Sequence, residues 1–119
     1  MARAAGAGHC LEVVTTVSTR RDARRIARTL VEERLAACVQ VVGPIQSTYR
    51  WQEQIETAAE WLCLIKTTRR RYPRLETRIR QLHPYTTPQI VALPLARGSR
   101  DYLDWLAAAL RPERRGSSA

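Results

Sequence analysis

The sequence predicts an α+β domain in the order β-α-β-β-α-β, closed by one further helix. Two observations lead there. Short β-branched runs alternate with stretches whose apolar residues recur every three or four positions, and glycine and proline stand between them as punctuation. At 119 residues, 45% of them hydrophobic, the chain suits one domain around one core.

Leu11 to Val17 is short and β-branched, a strand. Ser18 and Thr19 offer a cap to the next element, and Asp22 sits well in a first turn. Ala23, Ile26, Ala27, Leu30 and Val31 then recur at helical spacing, carrying a helix through Ala36. Arginines cover its other face, with Arg28 and Glu32 placed for an i,i+4 pair. Cys38 to Val42 is a second strand, which Gly43 and Pro44 interrupt as a bulge or bend. Ile45 to Trp51 resumes it, Gln52 to Gln54 form a tight connection, and Ile55 to Thr67 returns as a long third strand. Arms of this length should project the hairpin tip beyond the core.

Tyr72 and Pro73 open a second helix, striped by Leu75, Ile79 and Leu82 and stopped by Pro84. Gln89 to Leu95 is the fourth strand. Ser99 caps a last helix whose apolar positions are Tyr102, Leu103, Leu106, Ala109 and Leu110. Residues 10–111 therefore form the domain, with a disordered segment over 1–9 and a polar tail over 112–119. The order is that of the split βαβ, ferredoxin-like arrangement: two helices on one face of an antiparallel sheet, a long hairpin between the second and third strands, and an extra C-terminal helix.

The other face of that sheet asks for a partner. In the third strand Leu62 and Leu64 point one way, Cys63 and Ile65 the other. In the fourth, Ile90 and Ala92 oppose Val91 and Leu93. Strands apolar on both faces need cover on both. The crossover helices cover one face, and the short terminal helix covers only part of the second. The bare remainder predicts an interface with further copies of the chain.

Composition removes several function classes. No apolar run approaches the ~20 residues of a membrane span, and the start has no apolar core for a signal peptide, so no membrane partner is expected. None of the three cysteines stand at C-x-x-C spacing. An odd count suits a reducing compartment, and a cytoplasmic location is the expectation. The net charge is +9, with Lys66 the only lysine. Such a charge favours polyanions without identifying one, and the third strand lacks the exposed aromatics of an RNA-recognition surface, so nucleic acid is not an expected partner. There is no asparagine, which rules out acylphosphatase chemistry on this strand order. Two histidines, one of them in the terminal segment, make a catalytic triad a poor fit, and the chain is not expected to be an enzyme.

Five motifs in register resemble one known family. They are Leu35-Ala-Ala-Cys38-Val39, Ser47-x-Tyr49-x-Trp51, Ile65-Lys66-Thr67-Thr68, His83-Pro84-Tyr85-x-x-Pro88 and Tyr102-Leu103-x-Trp105-Leu106. The set resembles the CutA family of divalent-cation tolerance proteins, from about Val13 to Leu110. The resemblance implies a tight homotrimer of ferredoxin-like subunits, similar to the PII signalling proteins, with sheets facing inward. It also implies a role in tolerance of divalent metals, with copper binding in some members. Two departures stand out. The first strand reads Val14-Thr15-Thr16 where some members carry a cysteine, and the hairpin tip reads Trp51-Gln52-Glu53-Gln54 where a glycine is common.

The candidate site is the loop from His83 to Pro88, where two prolines hold an imidazole and a phenol. In one reading His83 binds a metal weakly, with Cys38, Glu53, Glu56 or Glu60 recruited from a neighbouring subunit; Cu(II) or another divalent ion is the expected ligand, and no cofactor is obligatory. In the other, Tyr85 packs under the sheet edge and His83 caps the helix's last carbonyls. Lys66, with Thr67 beside it, faces either a small anion in an intersubunit cleft or, for Lys66, an intersubunit ion pair with a residue such as Glu60. Trp51, near the hairpin tip, is an interface anchor. Two functions are expected from these residues: a trimeric, non-enzymatic metal-tolerance protein, or a PII-like module binding an anion or nucleotide between subunits.

Overall fold

A computed structural model describes residues 9–112. The chain runs β1 (Cys10–Val17), α1 (Arg20–Glu32), β2 (Cys38–Trp51), β3 (Gln54–Thr68), α2 (Tyr72–Leu82), β4 (Val91–Pro94) and α3 (Arg100–Ala109). The four strands form one antiparallel sheet in the order β2-β3-β1-β4. The predicted ferredoxin-like order, long hairpin and terminal helix are all present.

The core lies between one sheet face and α1 and α2. Leu11, Val13 and Val17 of β1 and Cys63 and Ile65 of β3 meet Ala23, Ile26 and Leu30 of α1 and Leu75, Ile79 and Leu82 of α2. A second, smaller cluster forms where Leu103, Leu106 and Leu110 of α3 cover Cys10 and Ala37 on the opposite face. Beyond α3 that face is open: Val42, Val91 and Leu93 are 46%, 46% and 52% exposed. The two-faced strands are thus covered fully on one side and only in part on the other.

Local chemistry explains the boundaries. Thr19 caps α1 by accepting from the Asp22 N–H, and Ser99 caps α3 by accepting from the Tyr102 N–H. The first helix ends at Glu32, four residues before the expected Ala36, with Arg34 turned into the left-handed region at φ 58°. Leu35 and Ala36 are buried in the loop beyond it, so their apolar signal continues the helical pattern while the backbone does not. β4 is shorter than predicted, because its ladder with β1 spans only Leu11 to Val14.

The interruption in β2 is a register shift between Val42 and Ile45. A Cβ at Gly43 would come within 2.5 Å of the Trp61 ring, so glycine is required there by close approach. The hairpin closes on Gln52 and Glu53, at φ 49° and 70°, the conformation of a two-residue type I′ turn made without glycine.

His9, expected in the disordered start, is tied to the fold through its carbonyl, which accepts from the Arg69 N–H at 2.8 Å. The rest of that expected segment, 1–8, and residues 113–119 of the expected tail lie outside the described residues. No helix among the described residues is long and apolar enough to cross a membrane.

Candidate functional site

The loop after α2 does bring its imidazole and phenol into a network, and the network faces the protein. Pro84 ends α2 and turns His83 to extended angles, with its N–H still bonded to the Ile79 carbonyl. The imidazole, in a residue 8% exposed, swings under the end of β1. There Nε2 lies 2.9 Å from the Thr16 carbonyl and 3.1 Å from Thr15 Oγ1. Nδ1 accepts the Tyr85 N–H at 3.1 Å. That amide fixes the tautomer: the ring proton sits on Nε2 and is donated to the Thr16 carbonyl.

Tyr85 continues the chain of bonds. Its hydroxyl donates to Glu60 at 2.7 Å, and Glu60 is itself buried. Burial, and then the bond to Glu60, push the phenol up to about 12, so it stays protonated. Burial holds the His83 imidazole below its ordinary value, against the opposing pull of the Thr16 bond and of Asp22 and Glu60. The Thr15 hydroxyl beside an imidazole resembles a nucleophile with its base. Nε2 already carries the proton and Thr15 has no solvent exposure, so the pair is a brace between α2 and β1.

Lys66 sits on the other sheet face. In the strand register it lies between Glu12 and Cys38. Its ammonium pairs with Glu12 at 3.0 Å and donates to Gln40 at 3.4 Å. Within the subunit its carboxylate partner is therefore Glu12, while Glu60, the partner expected across a subunit boundary, accepts from Tyr85. Cys38 Sγ lies 3.7 Å from the Tyr102 hydroxyl of α3. Thr67, expected beside Lys66 in a cleft, points instead into the core. It is fully buried and donates to the Leu35 carbonyl at 2.8 Å, as alternation along a strand requires. Trp51 is 54% exposed at the hairpin tip.

The fit of these residues to a divalent cation is poor within one subunit. Both His83 nitrogens are engaged, and His83 and Cys38 lie on opposite faces of the sheet. Cys63 is buried, which lifts its thiol to about 11, and burial raises Cys10 too. Among the described residues no three His, Cys, Asp or Glu side chains converge. The sequence had not pointed to Glu12 or Gln40 as the neighbours of Lys66, to Tyr102 as the neighbour of Cys38, nor to Thr15 and Thr16 as partners of His83. Only strand pairing and the packing of helices on the sheet bring them together.

Comparison with known proteins agrees across almost the whole domain. The model of the CutA1 divalent ion tolerance protein family matches residues 11–109. The divalent-cation tolerance protein CutA of Thermus thermophilus is 54% identical over 94 residues, spanning 79% of this chain and 91% of that one. A solved structure of the divalent cation tolerance protein Cut A1 from Thermus thermophilus superposes with a TM-score of 0.80 at 52% identity, covering 82% of this chain and 94% of that one. CutA from Xylella fastidiosa gives a TM-score of 0.84 at 38% identity, covering 87% and 99%.

Proposed function

Because the chain belongs to the CutA1 divalent ion tolerance family, we propose that it is a non-enzymatic protein of divalent-cation tolerance whose working unit is a homotrimer. The observation that carries the assembly is the bare sheet face. Val42, Val91 and Leu93 stay exposed opposite a complete core, and an apolar face of this kind is covered by another protein surface. Support for a non-enzymatic role comes from the one hydroxyl–imidazole pair described above. It is sealed from solvent, with its ring proton on the wrong nitrogen for a base.

Tolerance, in this reading, does not depend on a cation site preformed in one subunit. Any ion such as Cu(II) is coordinated by residues of more than one subunit, since His83 and Cys38 are kept apart within one. The alternative, an anion or nucleotide in the intersubunit cleft, loses its expected cation, because Glu12 already meets the charge of Lys66. A reducing, cytoplasmic compartment is part of the proposal: the described cysteines are free thiols, two of them buried.

Two measurements test it. Light scattering at micromolar concentration should give about three times the 13.6 kDa chain mass; a monomer would refute the assembly. A bacterial strain lacking its own family member should regain growth on inhibitory Cu(II) when it expresses this chain. Growth no better than with empty vector would refute the tolerance role.

A further inference from the structure

We infer that the groove between α1 and β2, where arginines run beside a bare aliphatic strip, is a docking surface for an acidic, amphipathic segment of another protein. The inference goes beyond the tolerance role. It uses the proposed assembly only in that the helix layer, lying opposite the bare sheet face, points outward.

Charge is sorted toward that layer. α1 carries five arginines against Asp22 and Glu32, and α2 carries three against Glu76. The excess of five is more than half of the chain's net +9. Several of these guanidinium groups already have tasks: Arg25 donates to the Leu82 carbonyl, Arg28 pairs with Glu32, and Arg20 lies over the Trp61 ring. Arg24 has no carboxylate partner among the described residues, and the Arg28 side chain is 81% exposed, so its pair with Glu32 is weak and exchangeable.

Arg24, Ala27, Arg28 and Val31 succeed one another at the three- and four-residue spacing that puts side chains on one helical stripe. Together with Val41 of β2 they line a shallow, open groove. Val31 is 41% exposed there. The groove therefore offers guanidinium forks, which match carboxylates in two-bonded geometry, beside aliphatic surface that only an apolar side chain would cover.

The aliphatic strip decides the class of partner. A nucleic-acid backbone would use the arginines and leave Val31 and Val41 wet. The lining of the groove also holds no aromatic ring on which a base could stack. A segment with acidic residues on one stripe and aliphatic residues on the next satisfies both halves of the groove.

The test is fluorescence anisotropy on the intact protein, with its oligomeric mass measured on the same sample so that loss of assembly and loss of docking are told apart. The probes are a labelled peptide in which Glu and Leu recur at helical spacing, poly-glutamate of the same length, and a short DNA duplex. The Glu-Leu peptide should bind, and Arg24→Glu should weaken it about tenfold, as expected for reversing one interfacial charge. Arg80→Glu, the same charge change on α2 away from the groove, should weaken it less than about twofold. Val31→Ser should weaken the Glu-Leu peptide and leave poly-glutamate unchanged. DNA binding as tight as the peptide would overturn the proposal, as would equal damage from Arg24→Glu and Arg80→Glu, or no peptide binding at low salt.

Discussion

At the scale of single residues, the polar side chains that looked like chemistry are structural. Glu60 is a buried carboxylate whose donor is Tyr85, at 2.7 Å. Tyr85→Phe leaves that carboxylate unsatisfied and should cost ~1–3 kcal/mol of stability, read as a lower urea midpoint; an unchanged midpoint would show that the bond is not formed in solution. His83 gives a pH signature. Its folded pKa is depressed by burial, so the unfolded chain takes up a proton that the folded one does not. The contribution is full above the unfolded value of about 6.5 and is lost as pH falls from there through the folded value. His83→Gln should therefore flatten the fall in stability over that acid range, and parallel pH profiles for the two proteins would refute the assignment. Gly43 belongs to the same scale: any side chain there meets the Trp61 ring.

At the scale of elements, arginines complete helices they do not belong to. Neither α1 nor α3 has a basic residue in its last turn. The end of α3 is met by Arg34, which donates to the Ala109 carbonyl at 3.0 Å, and by Arg71, which donates to the Leu110 carbonyl at 2.6 Å. Both cations oppose the negative end of the helix dipole. The hairpin makes the opposite choice and accepts strain. Gln52 and Glu53 hold left-handed angles that cost an ordinary L-residue roughly 1–2 kcal/mol each. Replacing the pair by Asn-Gly should raise stability by ~1 kcal/mol in chemical denaturation. A neutral or negative result would show that Gln52 and Glu53 gain something at the tip that the isolated turn does not reveal.

At the scale of the whole molecule, the long hairpin is out of proportion to the core it leaves. β2 and β3 are 14 and 15 residues long, and their outer half carries Tyr49, Trp51 and Ile55 at 44%, 54% and 62% exposure. Side chains of this size on a projecting arm are the kind that anchor interfaces. Trp51→Ala should loosen the proposed trimer, seen as concentration-dependent mass, while far-UV circular dichroism stays near native. An unchanged mass and melting temperature would make Trp51 mere surface.

The sequence alone determined the element order, the Ser99 cap and the α1 cap to within two neighbours, the interruption of β2 at Gly43 and Pro44, and the demand for cover on a second sheet face. All of these rest on periodicity or on the stereochemistry of one or two neighbouring residues. It also carried the family, because five short motifs kept their order along the chain. It placed the end of α1 too late, since buried Leu35 and Ala36 read the same in a loop as in a helix. Only the tertiary structure decided what His83, Glu60, Lys66 and Thr67 do. Their partners lie in other elements: Thr15 and Thr16 for His83, Tyr85 for Glu60, Glu12 for Lys66 and the Leu35 carbonyl for Thr67. A hydrogen bond between residues distant in sequence is set by strand register and helix packing, and no local pattern encodes which of several polar groups will arrive within about 3 Å of another.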